Sequence, residues 1–385
     1  MERFLVTQNI RTKVLEKATR IVIKIGSNVL TTSGWKLDRT VFADIAQTVA
    51  KAKRRNKQFI IVSSGAIAAG MGTLGFKERP KLIPLEQAAA AIGQINLMAL
   101  YQRFFNKFGC SVAQVLLTHD DLKHRKRFLN ARHALDSLLA YDIIPIINEN
   151  DSTVVDEIRL GDNDHLSALV TNLVQADLLV ILTDIEGLYD RDPKIFPDAQ
   201  RIPLVEKITA SIEKSAQDTR STISRGGMVT KIAAAKTAAS FGVPTIIANG
   251  KTAGNMEKIL QGKNIGTLFL SEKNKLTSRK HWIAFTLKPL GEIIVDDGAK
   301  TAIVNKGKSL LPSGILRVEG EFDAGEAVAC LDQGGIEFAR GLSRYSSAEI
   351  IKIMGCKTAQ IARVLGHCPS QEVINRDDLV VLNRT

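Results

Sequence analysis

The 385-residue sequence has little that would place it in a membrane or cross-link it. No apolar run approaches the ~18 residues that a membrane span needs, and the first twenty residues interleave charged and apolar side chains without the apolar segment of an export signal. The four cysteines lie at positions 110, 330, 356 and 368, without CxxC or zinc-binding spacing. These absences predict a cytoplasmic protein with reduced thiols.

The common nucleotide-binding motifs are also missing. Residues 302–309 approach the P-loop pattern GxxxxGK[ST], but Ala302 holds the place of the first glycine and the region is predicted to be all-β. No GxGxxG follows the first predicted strand, and no protein-kinase catalytic loop occurs. The sequence therefore indicates neither a P-loop enzyme nor a dinucleotide-binding fold.

The net charge of +12 raises the question of nucleic-acid binding. The basic excess lies in the first three-quarters of the chain, because residues 290–360 carry eight Lys or Arg against ten Asp or Glu. We interpret the positive charge as a surface that attracts anionic nucleotides and acidic metabolites.

Two alternating kinds of segment predict the fold of the first 275 residues. Short β-branched runs indicate strands at 21–26, 59–64, 112–118, 143–148, 178–184 and 245–249. Helical patterns occupy 40–56, 84–107, 127–140, 165–175 and 228–241. Because the strand runs are apolar throughout, we expect strands buried on both faces, in a three-layer αβα sandwich with a mostly parallel sheet.

The pattern of predicted secondary structure changes beyond residue 280. Residues 290–345 show short predicted strands broken by turns, with no long helix expected before 346–354. This pattern is typical of a small β-barrel-like domain. We predict an N-terminal extension at 1–19, an α/β domain at 20–275, a linker at 276–285, and a small domain with a C-terminal tail at 286–385.

Candidate ligand-binding residues follow the predicted strands, where open α/β sheets bind ligands. Lys24 lies inside an apolar strand, and its burial is costly unless its ammonium meets an anion, although a lysine that snorkels at a strand end is an equal alternative. Gly26 lets the backbone approach a phosphate closely. Ser64 and the small residues after it begin a helix, which favours either anion binding or tight packing.

A second glycine-rich loop runs into a helix at Gly227, with Lys231 in the first turn. A cation in that place opposes the helix dipole, so a bound phosphate is the favoured interpretation. Thr183 and Asp184 end another predicted strand, where they either cap a helix or contact a nucleotide.

Two polar bursts, 148–151 and 162–164, have the composition of a site for a small zwitterion. They fit a metal poorly, because His165 is the one imidazole beside them. Carboxylates accept from an ammonium, and carboxamides also donate to a carboxylate. Residues 152–160 between the bursts are predicted to be a mobile flap.

Taken together, eight sequence blocks resemble the amino-acid kinase family, and among its members those that act on glutamate and carry a C-terminal PUA domain. The blocks are VIKIGSNVL (22–30), VSSGAIAAG (62–70), RFLNAR (127–132), PIINENDS (145–152), GDNDHLSAL (161–169), LLVILTDIEGLY (178–189), GGMVTKIAAA (226–235) and GLSRYSS (341–347). The paired NEND and GDND blocks point to glutamate rather than aspartate, carbamate or a nucleoside monophosphate.

The resemblance implies Mg²⁺- and ATP-dependent phosphorylation of the L-glutamate γ-carboxylate, giving glutamyl 5-phosphate, the first step of proline biosynthesis. The alternatives are another amino-acid or carbamate kinase of the superfamily, or an RNA-binding protein that acts through the PUA domain. The acidic balance of residues 290–360 disfavours RNA binding.

The resemblance also implies the residues of each site. The glutamate-binding set is Ser64, Gly65, Ala66, Asn148, Asp151 and Asn163. The ATP-binding set is Lys24, Gly26, Thr183, Asp184, Gly227, Met228 and Lys231. Lys24 and Lys231 would stabilise charge on the transferred phosphoryl group, Asp162 would orient both lysines, and no metal would be held by the protein alone.

Other implied properties are feedback inhibition by proline, assembly as a dimer or tetramer, and hand-over of the product to glutamyl-phosphate reductase. One departure from the family pattern lies in the glycine-rich loop, where Ser224 and Arg225 stand in place of the usual Gly-Thr. We expect this departure to affect the affinity for ATP rather than the phosphoryl-transfer reaction.

Overall fold

The computed structural model of the protein describes residues 2–153, 163–193, 195–217, 227–271, 280, 283–284, 287 and 289–382. The chain divides into two compact units, Met1–Lys275 and Leu276–Thr385. Each unit has its own β-sheet.

The first unit is built on an eight-stranded sheet. In chain order its strands are β1 Arg20–Ile25, β2 Gln58–Ser63, β3 Val112–Leu117, β4 Ile144–Glu149, β5 Leu178–Thr183, β6 Leu204–Val205, β7 Thr245–Asn249 and β8 Thr267–Phe269. Their order across the sheet is β3-β4-β2-β1-β5-β7-β8-β6, and every pair is parallel except β7 with β8. All six predicted strands are present, with ends that differ by one residue at most.

Helices cover both faces of this sheet, which confirms the predicted αβα sandwich. The described helices are α1 Glu2–Lys17, α2 Ser27–Leu30, α3 Arg39–Lys53, α4 Ala66–Leu74, α5 Ile83–Asn106, α6 His119–Lys123, α7 Arg125–Ala140, α8 Asn163–Leu173, α9 Ala210–Gln217, α10 Met228–Ser240 and α11 Asn255–Leu260. Alternate residues of β1 face opposite sides, and Ile21, Ile23 and Ile25 join the core formed with Phe42 of α3 and Leu97 of α5. Helices α8 and α10 pack on the sheet and on each other.

Helices α4 and α5 touch through their backbones. A Cβ atom at Gly93 would lie 1.8 Å from the Ala66 carbonyl oxygen, and one at Gly70 would lie 1.7 Å from the Ala89 carbonyl oxygen. Side chains at either glycine would force the helices apart. The contact fixes the start of α4, which follows directly from β2.

The predicted N-terminal extension forms helix α1, which is anchored by a buried arginine. The Arg11 guanidinium is fully buried and donates to the carbonyl oxygens of Ile265 at 2.7 Å, Gly266 at 2.7 Å, Pro203 at 2.9 Å and Lys263 at 3.3 Å. Burial, with a smaller contribution from nearby Arg201, lowers the pKa of Arg11 to about 10. The guanidinium therefore stays charged at neutral pH and ties α1 to the segments beside β6 and β8.

The second unit holds a five-stranded sheet in the order β10-β9-β11-β12-β13. Its strands are β9 Gly291–Val295, β10 Ile315–Glu319, β11 Ala327–Leu331, β12 Glu337–Leu342 and β13 Leu379–Val381, and its described α-helices are α12 Asp297–Lys306, α13 Ser347–Ile353 and α14 Ile361–Leu365. The helices that the structure describes, in both units, include none with the length and apolar character to cross a bilayer.

Helix α12 corrects the sequence-based expectation of no long helix before residue 346, and with it the all-β assignment of residues 302–309. The Asp296 side chain caps its first turn by accepting from the Ala299 N–H at 2.6 Å. Gly307 ends it in the left-handed conformation, with φ of 56°.

Candidate active site

The carboxyl ends of four neighbouring parallel strands form one polar region of the first unit. Strands β4, β2, β1 and β5 lie side by side, and Asn148, Ser63, Lys24 and Thr183 lie in their last two residues. Helix α8 contributes Asn163 and Asp164 to the same region. Residues far apart in sequence are thus brought to one edge of the sheet, where such folds bind ligands.

Two lysines share one aspartate at this edge. Lys24 Nζ lies 2.5 Å from Asp164 Oδ1, and Lys231 Nζ lies 3.2 Å from Asp164 Oδ2. Both lysines are 5% exposed, and Asp164 is fully buried. Two ammonium groups held at one buried carboxylate, with little water around them, favour binding of an anion such as a phosphoryl group.

The position of Lys231 depends on the start of helix α10. Gly227 precedes the first turn, where no side chain caps the helix, and the Thr230 hydroxyl lies 2.9 Å from the Gly227 carbonyl oxygen and 3.0 Å from Asp164 Oδ2. Among the described residues the cap position supplies no side-chain hydrogen bond to this turn, and N–H groups at the start of a helix can bind an anion. Met228 is buried at the same end; residues 218–226, with Ser224 and Arg225, lie outside the described residues.

The residue between the lysines was missed by the sequence analysis, which assigned the orienting role to Asp162. Asp162 lies outside the described residues, so that assignment stays a prediction. Asp164, two positions further along the same GDND block, is the residue that contacts both Nζ atoms. The sequence did contain a signal for Asp164. It is a carboxylate in the first turn of a predicted helix that has a buried face, where an acidic side chain is favoured.

Gly26 follows β1 directly and lies beside the Lys24 ammonium. Its N–H donates to the Leu182 carbonyl oxygen at 3.0 Å, which joins the end of β1 to β5. A Cβ atom here would lie 3.4 Å from that oxygen and 3.8 Å from Lys24 Nζ. The absence of a side chain leaves room for a ligand to approach the ammonium.

Three of the predicted glutamate-binding residues meet around the amide of Asn163. Asn163 Nδ2 lies 2.7 Å from the Ser63 carbonyl oxygen, 2.9 Å from Asn148 Oδ1 and 3.1 Å from Ser64 Oγ. Gly65 follows with φ of 95°, a conformation that glycine adopts easily, and Ala66 begins helix α4.

Asp151 follows β4 in an acidic environment. Its pKa is raised to about 7, mainly by burial and then by the negative charge of Glu149, while Arg79 acts in the opposite direction and Glu86 adds a smaller increase. Arg79 pairs with Glu86, with Nε and Oε1 2.5 Å apart. Three acidic side chains with one arginine favour a positively charged ligand group.

His165 is paired with a second imidazole rather than lone as the sequence suggested. Its ring stacks on that of His119 with centroids 5.2 Å apart, and His119 Nδ1 lies 3.3 Å from Glu149 Oε1. Burial, then the charges of His119 and Lys123, lowers the pKa of His165 to about 4. His165 is therefore neutral at physiological pH.

Thr183 and Asp184 lie at the end of β5, on the far side of β1 from β2. Asn28 Nδ2 donates to Asp184 Oδ2 at 3.0 Å, and Thr183 Oγ1 donates to Asp184 Oδ1 at 3.1 Å. Partial burial raises the pKa of Asp184, but these hydrogen bonds and the Lys231 charge together lower it below its usual value. A cleft of about 390 Å³ is lined by Asn28, Thr31, Thr32, Ser33, Gly34, Trp35, Asp184 and Lys251.

Within the described ranges, no three His, Cys, Asp or Glu side chains come together as ligands for a metal ion. Asp164 is engaged by two lysines.

An αβα sandwich with a doubly cationic, glycine-lined edge is the arrangement of a phosphoryl-transfer enzyme, and the chain belongs to the amino acid kinase family. Residues 19–249 match that family, and residues 291–365 match the PUA domain. Both matches confirm the resemblance seen in the sequence.

Curated relatives match this chain over almost its full length. Glutamate 5-kinase of Geobacter sulfurreducens is 55% identical over 372 residues, which is 97% of this chain and 100% of that protein. Glutamate 5-kinase of Geobacter metallireducens is also 55% identical, and that of Pelobacter propionicus is 52% identical, with the same coverage.

Proposed function

We propose that the chain transfers the γ-phosphoryl group of ATP to the γ-carboxylate of L-glutamate, giving glutamyl 5-phosphate and ADP. The observation that carries this proposal is the buried Lys24–Asp164–Lys231 arrangement at the carboxyl ends of the strands. The names of the relatives that match end to end support the choice of glutamate.

The chemistry needs no general base. A γ-carboxylate is already ionised at neutral pH, so its oxygen attacks the γ-phosphorus directly while the bond to the ADP oxygen breaks. Catalysis then depends on in-line positioning and on neutralising the charge of the transferred group. Lys24 and Lys231 supply the positive charge, and Asp164 holds both ammonium groups in place.

The remaining site residues divide into two sets. For glutamate the proposed contacts are Ser64, Gly65, Ala66, Asn148, Asp151 and Asn163. For ATP they are Lys24, Gly26, Thr183, Asp184, Gly227, Met228 and Lys231. In this assignment the α-ammonium of the substrate binds beside Asp151. Its positive charge would stabilise the ionised carboxylate, whose pKa is raised in the unliganded site.

Mg²⁺ fits this site as an ion carried by ATP. The lysines engage the central carboxylate, so Mg²⁺ would bind phosphate oxygens and water. When bound, it neutralises charge on the phosphates. The protein's own part is to hold the nucleotide and the acceptor in line.

Further proposals follow from the family. We propose that the product enters proline biosynthesis by hand-over to glutamyl-phosphate reductase, that proline inhibits the enzyme, and that the chain forms a dimer or tetramer in the cytoplasm. We also retain the domain boundaries at 19/20, 275/276 and 285/286. The flap predicted at 152–160 lies, except for residues 152 and 153, outside the described residues.

The competing function within the family is phosphorylation of another acceptor. The test measures ATP turnover with L-glutamate, aspartate, carbamate and UMP, and traps any acyl phosphate with hydroxylamine as the hydroxamate. We expect rapid turnover and hydroxamate with L-glutamate, and a decrease in both when proline is added. Absence of hydroxamate with L-glutamate would overturn the proposal, while lack of a proline effect would overturn only the proposed regulation.

RNA binding through the PUA domain is the competing function of a different class. A salt-dependent shift of RNA mobility with the full chain would support it. We expect no such shift, because the acidic residues outnumber the basic ones across 290–360.

A further inference from the structure

A chain of four side-chain amides leads from the edge of the sheet into the active site. Gln94 Nε2 donates to Gln114 Oε1 at 3.0 Å, Asn148 Nδ2 donates to Gln94 Oε1 at 2.8 Å, and Asn163 Nδ2 donates to Asn148 Oδ1 at 2.9 Å. Gln94 and Asn148 are buried, whereas Gln114 is exposed. We call this chain the amide relay.

The direction of the amide relay is set at its inner end. The Ser63 backbone carbonyl oxygen only accepts, and it lies 2.7 Å from Asn163 Nδ2, so the nitrogen of Asn163 must face it. Asn148 must then turn its oxygen toward Asn163 and its nitrogen toward Gln94. Gln94 must in turn present its oxygen to Asn148, because two facing NH₂ groups repel.

This direction leaves the carbonyl oxygen of Asn163 as the open end of the relay. Asn163 Oδ1 is buried, and it has no hydrogen-bond partner among the residues that the structure describes. A buried acceptor without a donor is costly, and a ligand that supplies one relieves the cost.

We propose that Gln94 is a positioning residue for the amino-acid site, which holds Asn163 Oδ1, through Asn148, toward a donor on the substrate. The identity of that donor rests on the proposed function. Of the charged groups on glutamate, both carboxylates only accept hydrogen bonds, so the α-ammonium is the group that fits. Gln94 would thus help the site to distinguish an amino acid from a dicarboxylate without an amine.

The test compares binding of L-glutamate with binding of glutarate, which has the same two carboxylates and no ammonium. Dissociation constants are measured by titration calorimetry for the unchanged chain, Gln94→Met and Gln94→Glu. Gln102→Met is the matched control, since Gln102 is exposed on the same helix. Methionine fills a similar volume but offers Asn148 no acceptor of comparable strength.

We expect Gln94→Met to weaken L-glutamate binding about tenfold and glutarate binding less than about twofold. Gln94→Glu keeps an acceptor for Asn148, and the exposed Gln114 can turn its amide to donate, so its affinity for L-glutamate should lie closer to that of the unchanged chain. Gln102→Met should change neither constant.

Equal weakening of both ligands by Gln94→Met, or unchanged L-glutamate binding, would overturn the positioning role. If thermal unfolding shows that Gln94→Met does not fold, Gln94→Ala is compared in the same way. Failure of the unchanged chain to bind L-glutamate would instead overturn the proposed function, and with it the substrate donor named here.

Discussion

The Lys24 ammonium lies 2.5 Å from Asp164 Oδ1, with both side chains almost entirely removed from water. Buried ion pairs contribute little net stability, because desolvation offsets their attraction. A second lysine, Lys231, meets the same buried carboxylate, with its Nζ 3.2 Å from Asp164 Oδ2. We propose that this arrangement serves ligand binding rather than stability, and the following predictions separate the two.

Replacing Lys24 should affect chemistry more than binding of the acceptor. We expect Lys24→Ala to lower kcat by about 10²- to 10³-fold, because one of two charges on the transferred group is lost, with the KM for glutamate changed less than about threefold. Steady-state hydroxamate assays give both constants. Lys207→Ala, on an exposed lysine, is the control. Loss of the folded state in circular dichroism would instead indicate that Lys24 is a structural strand lysine.

Asp164→Asn should damage both the fold and the reaction. Two buried ammonium groups would lose their shared counter-charge, so we expect the free energy of unfolding to fall by about 3–5 kcal/mol and turnover to fall with it. Denaturant titration measures the free energy of unfolding.

Asp162→Asn tests the sequence-based assignment of the orienting role. A loss of turnover as large as that of Asp164→Asn would support a role for Asp162 in orienting the lysines.

The affinity for glutamate should depend on pH through Asp151. Its pKa of about 7 means that the carboxylate is mostly protonated at about pH 6 and mostly ionised at about pH 8, and only the ionised form attracts an ammonium. We therefore expect the KM for glutamate to fall about tenfold over that range. Asp151→Asn should raise the KM and flatten this dependence.

His165→Asn is the control for that profile. Because the pKa of His165 is about 4, the residue stays neutral over the whole range and the variant should keep the slope of the unchanged chain.

The raised pKa of Asp151 also has a consequence for stability. The contribution of Asp151 to the free energy of unfolding is fully present below its pKa in the unfolded chain, near 3.8. That contribution is lost as the pH rises through the pKa of the folded state, about 7.

Arg11 should anchor helix α1 without taking part in the reaction. Arg11→Ala removes a buried donor to four carbonyl oxygens, so we expect a loss of about 2–4 kcal/mol in the free energy of unfolding, measured with urea. Arg11→Lys should lose less. Lys13→Ala removes a charge from an exposed position of the same helix and should change stability by less than about 0.5 kcal/mol. Equal effects of Arg11→Ala and Lys13→Ala would contradict an anchoring role.

Six of the eight strands in the first unit were predictable because they are short, largely apolar runs, most of them buried on both faces. The short strands β6 and β8 were not predicted, and β3, at the edge of the sheet, is only partly buried. Helix α12 was not predictable, because the residues that bound it, Asp296 and Gly307, are equally typical of hairpin turns. Capping residues and turn residues share the same chemistry. Packing in the second unit, which a local pattern does not contain, decides between them.

The site was predictable to the level of sequence blocks rather than of single atoms. Lys24 and Lys231 stood out because charge is costly in their apolar or helix-starting context. Asp162 and Asp164 lie two residues apart in one block, and the sequence does not show that Asp164, in the first turn of helix α8, contacts both lysines. Gln94 gave no signal, since its contact with Asn148 spans 54 residues and it is one of several polar residues in helix α5.

The backbone contact between Gly70 and Gly93 limits how this site can change. Glycine is the smallest residue, so neither position has a smaller alternative. Any larger residue would clash with the backbone of the facing helix and displace the start of α4, next to Ser64 and Gly65. We therefore expect both glycines to tolerate substitution poorly, whatever the acceptor. A library that aims at new acceptors should hold both glycines constant and vary the residues after β4 instead.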